Sequence, residues 1–114
     1  INRIVEDLRL FARADSGDRR PIQVRDGIES SIRLLGHQLT RGNVELVRAY
    51  EETPDVLADA AQLNRVWMNL LSNAVDAVEG RPAPRVVVRI RTQGLAGGGA
   101  AVEVSVIDNG PGID

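Results

Sequence analysis

A chain of 114 residues has room for one domain around a single modest core, and its 43% hydrophobic and 26% charged residues are ordinary for a globular protein. The absence of cysteine excludes disulfides and thiolate metal sites, and a formal net charge of −2 gives no electrostatic case for nucleic acid or an anionic membrane surface. No apolar run approaches the roughly 18 residues that a membrane span requires, and every one of the 14 basic residues is arginine, which rules out a P-loop lysine and the strand lysine of eukaryotic-type kinases.

The opening stretch, Ile1 to Arg13, sets Ile1, Ile4, Leu8 and Phe11 at spacings of three and four, which predicts a helix packed against another helix. Asp15-Ser-Gly-Asp then reads as a linker. Ile22-Gln-Val is a short strand candidate. Asp26-Gly-Ile-Glu29 has the spacing of a capping box and is expected to open a helix carrying Ile28, Ile32, Leu35 and Leu39, with Gly42 at its end. Asn43 to Tyr50 reads as a strand and Glu51-Glu-Thr-Pro-Asp as a turn. A second capping pattern, Asp59-Ala-Ala-Gln62, introduces a stronger helix through Leu63, Val66, Trp67, Leu70, Leu71, Ala74, Val75 and Val78, ended by Gly80, Pro82 and Pro84. Arg85–Arg91 and Ala101–Asp108 alternate apolar and polar residues as half-buried strands do, with a hairpin turn over Gly94 to Gly99. The order implies an α/β sandwich of two layers, with helices on one face of the sheet.

Two places depart from these local rules. Asn69 and Asn73 stand four apart, and so share a face, in a segment otherwise built mainly of Leu, Val and Ala; Asp76 follows one turn later. Asparagine is a poor helix former, and burying its amide without partners costs on the order of 1–3 kcal/mol. The plain alternative is a pair of satisfied core amides or a polar helix edge. The second place is the end of the last strand. There Asp108 continues the row Val102, Val104, Val106, and Gly110 and Gly112 follow where a backbone can turn sharply beside a ligand. Taken alone, Asp108-Asn-Gly is an ordinary turn.

Together, Asn69-Leu-Leu-Ser-Asn73-Ala-Val-Asp76 and Asp108-Asn-Gly110-Pro-Gly112-Ile, separated by two strands, resemble the N box and first glycine box of sensor histidine kinases. These belong to the superfamily of gyrase, heat-shock chaperone and mismatch-repair ATPases. The opening stretch looks closest to the nitrogen-regulation and dicarboxylate-sensor branch. The resemblance implies a Bergerat-type ATP-binding fold over residues 18–114, ending soon after the first glycine box, and the end of a dimerisation-domain helix with its linker over residues 1–17. Asn73 matches the family's Mg²⁺ ligand, and one amide oxygen suffices when phosphates and water supply the rest. Asn69 would serve the phosphates or their water shell. Asp108 matches the acceptor of the adenine amino group, and Gly110 and Gly112 would let the backbone pass the base. Asp76 matches a frequent position near the nucleotide, with a helix-surface charge as the equal alternative.

Asn69 also stands where the ATP-hydrolysing branches carry a glutamate that activates water; an amide cannot act as that base. The resemblance thus implies phosphoryl transfer from ATP to a histidine on an upstream helix, in a cytoplasmic part of a two-component sensor. Its partners would be a second copy through the opening helix, the phosphotransfer domain and a response regulator, with no nucleic acid and no membrane contact. The one histidine, His37, lies in a catalytic-domain helix and matches no phosphoacceptor, so this stretch by itself is expected to be inactive. The rival readings are a nucleotide switch of the same superfamily and a non-catalytic dimerisation module with an idle nucleotide site.

Overall fold

The helix predicted most strongly is the longest, α3 (Ala60–Val78), and it starts where the capping pattern places it. In the computed structural model, which describes residues 19–109 and, as backbone, residues 3–11, Asp59 stays extended just ahead of the helix. Its carboxylate accepts the backbone N–H groups of Ala61 at 2.9 Å and Gln62 at 3.3 Å, satisfying two donors that the first turn leaves over. Leu63, Trp67, Leu70, Leu71, Ala74, Val75 and Val78 are buried along one broad face. Gly80 then takes φ +75°, a left-handed backbone that ends the helix cheaply only without a Cβ.

That face lies on a hairpin of β5 (Arg85–Gly94) and β6 (Ala100–Asp108), joined by a turn in which Gly97, Gly98 and Gly99 all have positive φ. Cross-strand pairing sets Ile90 opposite Val104, Val88 opposite Val106 and Val86 opposite Asp108. The apolar members of this row join Trp67, Leu70, Leu71, Ala74 and Val78 in one core. The alternate row carries polar pairs: the Arg91 guanidinium reaches the buried Glu103 carboxylate at 2.5 Å, and Arg89 donates to the Ser105 hydroxyl at 3.4 Å. A strand β3 (Glu45–Tyr50) runs parallel to β5, its chain returning through α3. Two short strands, β2 (Arg20–Ile22) and β4 (Val56–Ala58), pair antiparallel as a separate ribbon; β4 carries no sequence signal beyond its small size. A mixed sheet with helices packed on one face is the expected α/β two-layer sandwich.

Two local expectations need correction. The first concerns Asp26-Gly-Ile-Glu29, which does not cap a helix. The helix α1 (Val24–Leu34) starts three residues earlier, with Gln23 ahead of it making no side-chain cap, and Asp26 falls in its first turn. Gln23 instead donates to the Thr53 carbonyl at 3.1 Å, and the Thr53 hydroxyl donates back to it at 3.0 Å, so a tertiary contact replaces the local cap. The expected single helix also breaks at Leu35, and a short α2 (Gly36–Arg41) follows, ending at Gly42 as anticipated. Leu35 remains buried at this break, so the core keeps its apolar residue while the axis changes.

The second concerns the opening stretch, which is strand β1 (Arg3–Phe11) rather than a helix. It pairs antiparallel with β6, Arg3 opposite Asp108 and Phe11 opposite Ala101, giving the sheet order β1-β6-β5-β3. An isolated helix of about a dozen residues is marginal in water, and its apolar stripe gains little without a partner helix. The open edge of β6 offers backbone partners instead, and pairing there satisfies both strands. The linker expected over Asp15-Ser-Gly-Asp lies outside the described residues.

Glu29, freed from any capping role, ties α1 to β3. Arg48 grips it through two guanidinium nitrogens, at 2.7 and 3.1 Å, and the Tyr50 hydroxyl donates to it at 2.5 Å. Arg25 lies over the Tyr50 ring, 6.0 Å from its centre. The hydrogen bond from Arg48 holds the Glu29 carboxyl below its ordinary value of 4.5, against a smaller opposing effect of burial, and Tyr50 adds to the lowering. Burial, and then the Glu29 contact, push the Tyr50 phenol upward. A carboxyl lowered on folding contributes stability that is present above its unfolded value and lost as pH falls through its folded one. Acid unfolding of Glu29→Gln is therefore expected to be less steep than that of the unaltered protein below about pH 4.5. Because Arg48 is 45% exposed, the stability difference at neutral pH should stay within about 1 kcal/mol. Parallel acid titrations followed by circular dichroism check this; superimposable curves would remove Glu29 from the acid response.

Candidate functional site

The sequence-predicted residues fall in two layers. Asn69, Asn73 and Asp76 form one exposed stripe on α3, spaced at four and three along the helix. The burial cost that made the two asparagines conspicuous is thus not incurred: they are a polar helix edge, with amides open to solvent. Their immediate neighbours Leu70, Ala74 and Val75 are buried, so α3 is anchored along its length while presenting these side chains outward. Ala74 is fully buried, which fixes the rotation of the helix at the turn that carries Asn73.

Asp108 lies beneath, in the sheet. It is 1% exposed and ends the inward row of β6, opposite Val86, which is itself fully buried. A carboxylate at that depth requires hydrogen-bond partners, and it costs little only where the row meets groups that donate to it. Gly110 and Gly112 lie outside the described residues. The structure therefore brings the asparagine helix over the strand that ends in Asp108, and it places His37 on the exposed side of α2, away from the core.

One residue that sequence reasoning passed over stands beside Asp108. Asn109 was readable only as part of an Asp-Asn-Gly turn. Its side-chain carbonyl accepts the Arg85 backbone N–H at 2.8 Å, and its amide donates to the Ala83 carbonyl at 2.8 Å. Its own backbone N–H donates to the Arg85 carbonyl at 3.2 Å. Asparagine at a turn was the available signal; the partner, some two dozen residues earlier in sequence, was not.

Among the described residues no group of three acidic, histidine or cysteine side chains could hold a metal by itself. An exposed amide oxygen such as that of Asn73 could offer one oxygen ligand of the kind that Mg²⁺ accepts, were phosphate and water to complete the shell. No helix among the described residues is long and apolar enough to cross a membrane.

Comparison with known proteins finds a family and relatives for the fold. Residues 58–114 match the family described as histidine kinase-, DNA gyrase B- and HSP90-like ATPase. The sensory histidine kinase/phosphatase NtrB of Rhodobacter capsulatus is 28% identical over 99% of this chain and 34% of its own length. The C4-dicarboxylate transport sensor protein DctB of Pseudomonas aeruginosa is 31% identical over 96% of this chain and 18% of its own. Among solved structures, the mycobacterial sensor histidine kinase MprB superposes with a TM-score of 0.64 at 30% identity, over 84% of this chain and 58% of that one. The chain thus spans about a third or less of these two curated relatives. With the fold and the match agreeing, the chain belongs to the histidine kinase-, DNA gyrase B- and HSP90-like ATPase family, and along nearly its whole length it is similar to sensor histidine kinases.

Proposed function

We propose that this domain holds MgATP between α3 and the end of β6 and serves transfer of the γ-phosphoryl group to a histidine of the whole protein. The observation that carries the reading is the pair of open amides, Asn69 and Asn73, on the helix that covers the strand ending in Asp108. Asn73 would offer its amide oxygen to Mg²⁺, and Asn69 would hydrogen-bond phosphate oxygens or their water. Asp108 would accept the adenine amino group, and Gly110 and Gly112 would let the backbone pass the base. Asp76 would lie near the nucleotide, or serve only as a helix-surface charge. The bound cation would neutralise charge developing on the phosphates. The protein's share is positioning, with no general base for water at Asn69.

The partners follow from the same reading. The 1–17 stretch would belong to the dimerisation element of the whole protein. A response regulator would receive the phosphoryl group, and the domain would work in the cytoplasm. His37, exposed on α2, is no phosphoacceptor in this scheme, so residues 1–114 alone should incorporate no phosphate from ATP.

The test is calorimetric titration of ADP into the full-length protein, with and without Mg²⁺. Unaltered protein should bind more tightly with the cation. Asn73→Ala should bind ADP with about the same affinity whether or not Mg²⁺ is present, having lost roughly 1–3 kcal/mol of the metal-assisted part. Retention of the full Mg²⁺ effect in Asn73→Ala would sink the metal assignment, and absence of any nucleotide binding would sink the whole reading.

A further inference from the structure

The segment that precedes β5 is gripped from two sides. Ala83 lies there at φ +52°, a left-handed conformation that a non-glycine residue holds only where its surroundings impose it. On one side the Glu45 backbone N–H donates to the Pro84 carbonyl at 2.9 Å, joining the segment to the start of β3. On the other side Asn109 takes hold through its side chain, donating to the Ala83 carbonyl and accepting from the Arg85 N–H, each at 2.8 Å. The clamp therefore ends one residue beyond Asp108 and one residue before Val86, the residue that faces Asp108 across the strands.

Asparagine alone fits this double role. Aspartate has the length but no donor for the Ala83 carbonyl; serine falls short, and glutamine is one carbon too long. Among the described residues the β5–β6 pairing ends at Val86 and Asp108, and strand ends are where a ladder frays. The clamp adds two side-chain bonds at that end, beside the backbone bond from Asn109 to Arg85. It acts on the backbone from which the Asp108 carboxylate projects.

We infer that Asn109 is a positioning residue for Asp108: its amide fixes the end of β6, and thereby sets how well the carboxylate distinguishes a purine bearing an amino group from one bearing a carbonyl. The inference rests on the nucleotide reading of Asp108 given above. A residue important only for stability would weaken every nucleotide alike. One that orients the carboxylate weakens adenine and leaves its competitor untouched.

The experiment measures the affinities of MgADP and MgIDP for the full-length protein, for Asn109→Ala, for the near-isosteric Asn109→Asp and for Asp108→Asn, with thermal midpoints alongside. Hypoxanthine carries a carbonyl oxygen where adenine has its amino group, and the two nucleotides are otherwise closely alike. The unaltered protein should prefer ADP, and Asp108→Asn should abolish most of that preference. Asn109→Ala should lose about tenfold in ADP affinity with IDP affinity unchanged, the size expected when a hydrogen bond is misaligned rather than deleted. Asn109→Asp should lose preference in the same direction while keeping the fold, since it retains the bond from Arg85. Equal losses for both nucleotides, or an unchanged preference in both Asn109 variants, would overturn the inference while leaving Asp108 in place. If unaltered protein shows no preference, or Asp108→Asn leaves it intact, the nucleotide reading of Asp108 itself fails, and this inference fails with it.

Discussion

Asp108→Asn is expected to weaken MgADP binding by at least about 30-fold while leaving the fold in place. The substitution preserves shape in a site that is 1% exposed and opposite a fully buried Val86, so no cavity opens. What changes is charge and donor pattern. A carboxylate accepts through both oxygens, and a bond to an ionised acceptor is worth about 1.5–3 kcal/mol. The amide keeps one neutral acceptor and turns a donor toward the place where adenine would offer its own. A guanine or hypoxanthine base would lose its repulsion at the same time, so discrimination should fall further than affinity. Calorimetry with ADP and GDP on the full-length protein decides it. Wild-type affinity and wild-type preference in the variant would show that the carboxylate serves the fold and not the base.

Trp67→Ala should cost roughly 3–5 kcal/mol of folding stability, a large share of the 5–15 kcal/mol that a domain commands. Trp67 is 2% exposed and is among the largest fully buried side chains. It packs where α3 passes α1, and the crossing is close because Gly27 has no side chain. A Cβ built at Gly27 would lie 2.9 Å from the Asn64 side-chain oxygen and 3.1 Å from the Trp67 ring nitrogen. Removing the indole therefore leaves a void that the neighbouring helix cannot fill by sliding inward. Gly27→Ala tests the same contact from the other side, forcing the helices apart for about 1–3 kcal/mol. Combined, the two changes should cost less than their sum, because the smaller residue at 67 makes room for the added methyl. Urea unfolding of the two single variants and the double variant measures the coupling; strict additivity would mean that the helices do not meet at this point.

Much of this molecule was legible from side-chain pattern alone. The Asp59 cap, the buried face of α3, the alternation of β5 and β6 and the glycine turn between them are local properties, set by neighbours a few residues away. The pairing of Asn69, Asn73 and Asp76 on one face was equally local, since helical spacing decides it. Whether that face is buried was not. Eight apolar residues from Leu63 to Val78 suggested a largely buried helix, and only the position of the sheet left the asparagine edge open.

The remaining features belong to the tertiary structure, and each turns on competition between a local and a distant partner. Glu29 has the spacing to cap α1, but a bidentate arginine and a phenol on β3 outbid the backbone. The opening stretch has the spacing of a helix, yet helical spacing is worth little without a second apolar surface, and the edge of β6 satisfies its backbone instead. Side-chain pattern alone located α3, β5 and β6 and showed which of their residues share a face. Packing decided which faces are open, which polar side chains leave their local partners, and that Asn109 holds the end of the strand bearing Asp108. Contacts between residues far apart in the chain exist only once the sheet has fixed their distance.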